Sequence, residues 1–295
     1  MHPSPDTHPS PDTHPSPDTH PSPDTHPSPD THPSPDTHPQ PDRLAAIATR
    51  LPGALIALDF DGTLASIVSD PSTSRPVPGV IDTLARLADA GAQIAIVTGR
   101  DAATVLELGG LHAIADVVVS GLHGAETWQH GKLRTRAEPA GLAALRTSLP
   151  PLLRQAGDGV WLEDKRLSLV VHTRQAADPE RALIELGDRL PPLVAEQGLE
   201  LHPGKLVLEI RIPHLSKATA LRQLLTPSTT AALFAGDDYG DLPALAAVSA
   251  WAADTGRPGL TIAVGELAEL RRAADCAVES PAELAGLLAG LLATR

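Results

Sequence analysis

Short apolar runs alternate with amphipathic helical patterns on either side of the middle of the chain. Each run is rich in Val, Ile, Leu and Ala, a composition typical of a buried strand. The runs lie at 54–58, 93–97, 116–120, 232–235 and 260–264. Helical patterns lie at 78–91, 101–109, 217–225 and from Pro281 onward. This order predicts βαβ units and hence an α/β fold with a Rossmann-like parallel-sheet core.

The middle of the chain has a different order of elements. Its helices are predicted at 138–155 and 179–196, and its strands near 159–163, 167–173, 199–202 and 205–211, the last two joined by a Pro-Gly turn. The order αββαββ indicates an antiparallel sheet with helices on one face, inserted into the core. We therefore expect a cap over residues 136–212, and a core made of residues 44–135 and 213–295.

The first 43 residues repeat the hexapeptide HPSPDT, with a degraded last copy that starts at His38. This segment has no large apolar side chain to bury, so we expect an extended, disordered tail. The regular histidines also suggest metal binding. Neighbours would stand ~19 Å apart along a polyproline helix, too far to share one ion, and a solvated tail is therefore the preferred interpretation.

Composition and charge exclude several classes of function. The formal net charge of the 295 residues is -13 and no run of Lys or Arg occurs, which argues against a nucleic-acid partner. The single cysteine, Cys276, excludes an internal disulfide framework. No apolar stretch approaches the ~20 residues of a membrane span, and we expect a soluble, cytoplasmic protein without a membrane partner. The sequence leaves its oligomeric state open.

Two predicted strands end in clusters of acid. Asp59 and Asp61 follow the run at 54–58, and the sequence GDDYGD, which contains Asp237, Asp238 and Asp241, follows the run at 232–235. Ligands of parallel sheets bind beyond the carboxyl ends of the strands. Carboxylates from two strands would repel each other there unless a cation lay between them, and hard oxygen ligands favour Mg²⁺. The alternative for Asp59 and Asp61 is ordinary turn chemistry.

Groups suited to a phosphate lie near these acids. Thr98, Gly99 and Arg100 follow the run at 93–97 and offer a hydroxyl and backbone N–H groups. Lys217 starts a predicted helix, whose N-terminus favours anions. Only four of the basic residues are lysines, namely Lys132, Lys165, Lys205 and Lys217, so we expect each lysine to be more informative than an arginine.

Together these motifs resemble the haloacid dehalogenase superfamily, which has DxDx[TV], then a Thr or Ser, a Lys, and an acidic pair or trio. The resemblance covers 54–295. Within that superfamily a second aspartate, here Asp61, marks the phosphotransfer members. The resemblance therefore implies a phosphatase or a phosphomutase.

Three stretches in and near the cap resemble the trehalose-6-phosphate phosphatase family: SGLHGAE at 120–126, LEDKRLSLVVHTR at 162–174 and HPGKLVLEIR at 202–211. The resemblance implies that charged cap residues grip sugar hydroxyls. These residues are Glu163, Lys165, His172, Arg174, Lys205 and Glu209. Each of them alone also fits a structural role, in a hairpin tip or on a strand. His123 lies within the first of these stretches, at 120–126. It either shapes the loop there or lines the site.

Four positions depart from the family pattern: Thr173 stands in place of Tyr, Ala218 of Gly, Gly240 of Thr and Leu242 of Glu. The reaction class does not depend on them, but the substrate does. Sucrose-phosphate or mannosylglycerate-phosphate phosphatases therefore remain alternatives. A sugar-phosphate sensor without activity is a further alternative, against which the intact acids and Lys217 argue.

The resemblance implies a role for each group of the motifs. Asp59 would be the nucleophile that forms an aspartyl-phosphate, and Asp61 the general acid and base. Thr98 and Lys217 would bind the phosphate oxygens. Mg²⁺ would be held by Asp59, the Asp61 carbonyl and the acidic motif. The residues of that motif are Asp237 and Asp238 as metal ligands and Asp241, which orients Lys217 or a metal-bound water.

Overall fold

The structure, a computed structural model, describes residues 41–293. Its strands form an eight-stranded sheet and a four-stranded sheet. The strands are β1 (Leu55–Leu58), β2 (Gln93–Val97), β3 (Val118–Gly121), β4 (Glu126–Gln129), β5 (Lys132–Thr135), β6 (Trp161–Asp164), β7 (Ser168–His172), β8 (Glu200–Gly204), β9 (Val207–Arg211), β10 (Ala232–Gly236), β11 (Gly259–Val264) and β12 (Cys276–Val278). The helices are α1 (Pro41–Ala48), α2 (Val80–Asp89), α3 (Ala102–Gly109), α4 (Ala140–Gln155), α5 (Pro179–Glu196), α6 (Lys217–Leu224), α7 (Leu242–Thr255), α8 (Ala268–Ala273) and α9 (Pro281–Ala293).

The eight-stranded sheet has the strand order β12-β11-β10-β1-β2-β3-β4-β5. All of its pairs are parallel except those that β4 makes with β3 and β5. In the register, Leu58 of β1 pairs with Ala235 on one side and Ile96 on the other. The carboxyl ends of β10, β1 and β2 therefore lie side by side, and the residues that follow these strands share one edge of the sheet.

Alternate residues of the central strands pack into two apolar clusters, one on each face of this sheet. Ile56 and Leu58 pack with residues of α2, α3 and α9, whereas Leu55 and Ala57 pack with residues of α6, α7 and α8. A strand buried on both faces reads as a continuous apolar run, which is why the sequence revealed it.

The four-stranded sheet is antiparallel, with the order β6-β7-β9-β8. One face carries Leu169, Val171, Leu208 and Ile210, which join leucines of α4 and α5 in a third apolar cluster. Because side chains alternate along a strand, the residues between these four belong to the opposite face. We call the four-stranded sheet with α4 and α5 the cap, and the eight-stranded sheet with its helices the core.

The predicted fold class is confirmed, and the αββαββ order of the cap is found in the structure. Three details differ from expectation. The hairpin of β4 and β5 was not predicted, because the exposed edge strand β5 lacks an apolar run. Neither were β12, α7 and α8. Pro203 and Gly204 lie in β8 rather than in the turn, which is formed by Lys205 and Leu206; as an edge strand, β8 accommodates a proline.

The first described helix overlaps the segment that was predicted to be a tail. Helix α1 begins at Pro41, three residues before Leu44, and Arg43 forms an ion pair with Asp275. The hexapeptide copies before Pro41 lie outside the described residues, and so does the prediction made for them. Within residues 41–293, no helix is both long and apolar enough to cross a bilayer. The boundaries of the cap at 136 and 212 remain predictions.

Candidate active site

The ends of β1 and β10 bring two carboxylates close together. Asp59 follows β1 and is buried, and Asp237 follows β10. Gly62, which has φ +78°, allows this approach, since a Cβ there would lie 2.0 Å from Asp237 Oδ2. Only glycine fits both this conformation and this contact.

Lys217 is the buried cation of the site. It is the first residue of α6, whose N-cap Ser216 accepts a hydrogen bond from Thr219 N. Lys217 Nζ lies 2.7 Å from Asp241 Oδ1 and 3.0 Å from Asp59 Oδ1. Asp241 also accepts hydrogen bonds from the backbone N–H groups of Asp237 (3.1 Å) and Asp238 (3.2 Å). The acidic loop after β10 is therefore tied to the lysine.

The electrostatics of the site favour a cation. Burial raises the pKa of Asp59 to about 7, with Lys217 opposing the shift and Asp237 adding to it. Burial likewise raises the pKa of Asp237 to about 6 and that of Asp241 to about 8. Burial alone would lower the pKa of Lys217, but Asp59 and the acidic loop hold it above its usual value. One lysine thus faces more negative charge than it neutralises.

Carboxylate oxygens of Asp59, Asp237 and Asp241 lie within 4.8 Å of one another. Their oxygen chemistry suits Mg²⁺, and the excess negative charge supplies a reason for it to bind. Asp238 does not belong to this group. Its side chain is 62% exposed and lies 3.8 Å from Lys217 Nζ, because it caps the short 3₁₀ turn at 239–241.

Asp61 is held by an arginine. Arg100 donates two hydrogen bonds to it, from Nε (2.5 Å) and Nη2 (2.6 Å), and Ser74 Oγ donates a third at 3.1 Å. This pairing holds the pKa of Arg100 above its usual value. Arg100 was predicted to bind the substrate, and the buried Ser74 was not predicted as a site residue, because no motif signals either contact with Asp61.

The loop after β2 packs against His123. The Oγ1 of Thr98 accepts a hydrogen bond from Arg100 N at 3.2 Å. A Cβ on Gly99 would lie 3.1 Å from the ring of His123, so the two residues are in close contact. Burial lowers the pKa of His123 to about 4, and its Nε2 lies 3.9 Å from Glu209 Oε2 of the cap.

A cavity of about 1010 Å³ is lined by residues of both core and cap. Most of the predicted site residues line it: Asp59, Asp61, Thr98, Gly99, Arg100, His123, Glu163, Lys165, Glu209, Lys217, Asp237 and Asp238. Among the residues that were not predicted, Glu126, Arg166 and the apolar Ile67, Val68 and Leu133 also line it.

Three predicted cap residues do not line this cavity. His172 stacks on Trp161 with ring centroids 4.0 Å apart, and its Nε2 lies 2.8 Å from Glu163 Oε2. It therefore reaches the cavity only through Glu163. Arg174 and Lys205 are exposed, since one follows the end of β7 and the other lies in the β8–β9 turn.

Three of the positions that depart from the family pattern make structural contacts, whereas Gly240 lines the cavity. Thr173 donates to the carbonyl of Leu206 at 3.2 Å, and Ala218 is buried in the second apolar cluster. A Cβ on Gly240 would lie 3.0 Å from Asp238 Oδ1. Leu242 begins α7.

Comparisons with known proteins agree with this architecture. The trehalose-phosphatase family model matches residues 57–252. Trehalose-phosphate phosphatases of Mycobacterium marinum and Mycobacterium ulcerans are each 33% identical over 261 residues, which cover 83% of this chain and 63% of the relative. The chain thus spans less than two thirds of the length of these relatives.

Solved structures share the fold. A crystal form of Aspergillus fumigatus trehalose-6-phosphate phosphatase matches with a TM-score of 0.64 and 24% identity, covering 87% of this chain and 99% of that one. The C-terminal domain of Candida albicans trehalose-6-phosphate phosphatase matches with a TM-score of 0.66 and 23% identity, covering 88% and 99%. The family match extends over more than half of the sequence and includes the acids that follow β1 and β10. The chain therefore belongs to the trehalose-phosphatase family.

Proposed function

We propose that the protein is a Mg²⁺-dependent phosphatase that hydrolyses trehalose 6-phosphate to trehalose and phosphate. The observation that carries the proposal is the buried network of Asp59, Lys217 and Asp241, with Asp237 beside it, at the base of a cavity that polar cap residues also line. This network combines a nucleophile, a phosphate-binding cation and acids suited to a metal.

The reaction begins at Asp59. Its carboxylate attacks phosphorus in line and forms an aspartyl-phosphate. Asp61, which Arg100 and Ser74 bind as a carboxylate here, would have to leave Arg100 and take up a proton before it donates that proton to the departing sugar oxygen. Asp61 then accepts a proton from water as that water attacks the aspartyl-phosphate. Lys217, only 3.0 Å from Asp59, and the Thr98 hydroxyl stabilise the charge on the phosphate oxygens.

Asp59, the backbone carbonyl of Asp61 and Asp237 would hold Mg²⁺. When bound, the ion supplies positive charge that lets a carboxylate approach a phosphate dianion. Asp238, which is largely exposed, is a weaker candidate ligand than Asp241, whose oxygens lie in the acidic group. Asp241 already binds Lys217 and two backbone N–H groups, so its main role is to hold the acidic loop in place.

The sugar would lie against the cap. Glu163, Lys165 and Glu209 line the cavity together with His123 of the core, and they offer charged partners for sugar hydroxyls. The cavity volume of about 1010 Å³ is at the upper end of the range for small-molecule sites, which leaves room for a disaccharide. His172 would orient Glu163, whereas Arg174 and Lys205 have no contact with the proposed substrate in this arrangement.

The proposal is tested by phosphate release with Mg²⁺ from a panel of sugar phosphates. We expect kcat/KM for trehalose 6-phosphate to exceed that for glucose 6-phosphate by at least ~100-fold. Glucose 6-phosphate lacks the second sugar ring, so it cannot make the contacts of that ring with the cap. Sucrose 6-phosphate and mannosylglycerate phosphate test the alternative substrates. A better rate with either would transfer the assignment to that substrate.

Asp59→Asn is the matched variant, since it keeps the volume and removes the nucleophile. It should retain the fold by circular dichroism and lose turnover. If the wild-type protein bound trehalose 6-phosphate without releasing phosphate, a sensor would replace the enzyme in this proposal. We further propose a cytoplasmic location, with which the free, buried thiol of Cys276 is consistent.

A further inference from the structure

Glu126 is a buried carboxylate that the proposed reaction does not use. It is the first residue of β4 in the core, and its side chain is only 2% exposed. Its Oε2 accepts a hydrogen bond at 3.0 Å from the backbone N–H of Ala102, the first residue of α3. Its Oε1 forms an ion pair with Arg166, which lies in the turn between β6 and β7 of the cap.

The two oxygens of Glu126 thus bind different parts of the molecule. Burial of an ionised carboxylate is costly unless both oxygens find partners. The core supplies one N–H group, and the cap supplies the countercharge. A cap that moved away from the core would leave Glu126 Oε1 without the guanidinium, so the pair favours the arrangement seen here.

The cap holds Arg166 in a defined position. Arg166 has φ +68°, and its backbone N–H donates to Asp164 Oδ1 at 2.8 Å. Arg146 of α4 binds both Asp164 and, at 3.2 Å, the carbonyl of Arg166. The turn is therefore tied to the body of the cap, while its arginine side chain reaches the core.

Both ends of the ion pair adjoin the reaction site. Glu126 and Arg166 line the cavity of about 1010 Å³ described above, and Lys165, next to Arg166, lines it as well. On the core side, Ala102 follows the loop that contains Thr98 and Arg100. The pair therefore connects the cap turn to the start of α3, the helix that follows the loop of Thr98 and Arg100.

We propose that the Glu126–Arg166 ion pair is a latch that holds the cap turn, and with it Lys165, over the cavity. Both are positioning residues, because neither is required to touch the reacting atoms. The proposal rests on the proposed function for the identity of its substrate. Loss of the ion pair should raise KM for substrates whose leaving group reaches the cap. It should leave KM unchanged for substrates whose leaving group does not.

The test compares Arg166→Gln, Glu126→Gln and the double variant on trehalose 6-phosphate and on p-nitrophenyl phosphate. Arg166→Gln should raise KM for trehalose 6-phosphate ~10-fold and leave kcat within about twofold, a loss typical of one charged pair. Its kinetics on p-nitrophenyl phosphate should not change. KM of the double variant for trehalose 6-phosphate should be no higher than that of Glu126→Gln, because both substitutions remove the same contact.

Arg181→Gln is the matched control, since Arg181 is an exposed cap arginine whose ion pair with Glu185 stays within α5. Three outcomes would overturn the latch. The control and Arg166→Gln could raise KM for trehalose 6-phosphate equally, the two single effects on KM could add in the double variant, or KM could be unchanged in Arg166→Gln. If Glu126→Gln folds poorly, Arg166→Gln still tests the proposal, because the Arg166 side chain is exposed and its replacement should not disturb folding.

Hydrogen exchange separates the latch from the proposed function. If the wild-type enzyme acted on p-nitrophenyl phosphate but not on trehalose 6-phosphate, the substrate assignment would fail by itself. The latch would then be judged by amide exchange at residues 101–105 and 163–167. We expect faster exchange in both segments for Arg166→Gln, and unchanged exchange would overturn the latch.

Discussion

Replacing Lys217 with methionine removes the only cation within 4 Å of Asp59 among the described residues. At the observed 3.0 Å, and with an effective dielectric constant of ~20, the Coulomb energy of this charge pair alone is about 5.5 kcal/mol. Breaking one side of a buried ion pair costs ~3–5 kcal/mol in practice. We therefore expect Lys217→Met to lower the free energy of unfolding by about that amount at pH 8 in the absence of metal.

The loss should depend on pH. The pKa values of Asp59 (about 7) and Asp241 (about 8) are already above their usual value, and removal of the lysine raises both further. Below pH 6 these groups bind protons in the native state instead of remaining as uncompensated charges. The cost there should fall to ~1 kcal/mol, that of a lost hydrogen bond. For each proton that the native state binds in excess of the unfolded state, the free energy of unfolding falls by ~1.4 kcal/mol per unit rise in pH.

The assay is urea denaturation of the metal-free protein at pH 6 and pH 8, with EDTA present. Lys132→Met, at an exposed position of β5, is the control and should be neutral at both values. With saturating Mg²⁺, Lys217→Met should also reduce kcat by ~10²–10³. A Lys217→Met protein as stable as the wild type at pH 8, or equally destabilised at both pH values, would refute the electrostatic reasoning.

Two further predictions concern the metal and the N-terminal segment. The metal-free wild type should melt at lower temperature as pH rises from 5 to 8, because the raised pKa values of Asp59 and Asp237 mean that the native state binds more protons than the unfolded chain. Mg²⁺ should therefore raise the melting temperature more at pH 8 than at pH 5, and a pH-independent increase would contradict this. Deletion of residues 1–40 should leave kcat and melting temperature unchanged, as scanning calorimetry and phosphate release can check. A deletion that extends through Ala48 should lower the melting temperature, since Ile47 and Ala48 are buried in the core; equal melting of the two truncated proteins would refute the packing role of α1.

The sequence predicted those parts of the fold and site that have a local signature. Strand β2 was predicted to the residue because a strand buried on both faces is a continuous apolar run. Asp59 and Asp237 were placed together because parallel strands end at one edge. The exposed strand β5 carries no such run, and its pairing with β4 was missed.

Contacts between distant residues could not be predicted in the same way. The pairing of Arg100 with Asp61, and that of Arg166 with Glu126, join residues about 40 positions apart whose meeting depends on how loops are placed in three dimensions. Arg174 and Lys205 show the converse. Their motif pointed to the site, but the strand end and the turn in which they lie are exposed and outside the cavity.

The separation of the cap's two faces has a consequence for how this protein could diversify. Leucines of α4 and α5 pack with Leu169, Val171 and Ile210 in a cluster that includes few core residues, so the stability of the cap depends mainly on one face of its sheet. Of the cap residues that line the cavity, Glu163 and Glu209 lie on the other face of this sheet, and Lys165 and Arg166 lie in the β6–β7 turn. With the proposed function, changes at these residues would alter the choice of leaving group without disturbing either the apolar cluster or the strands that end at Asp59 and Asp237. Such an arrangement would let a lineage with the proposed activity exchange one sugar for another by stepwise changes in the cap, while the residues proposed for phosphate transfer stay the same.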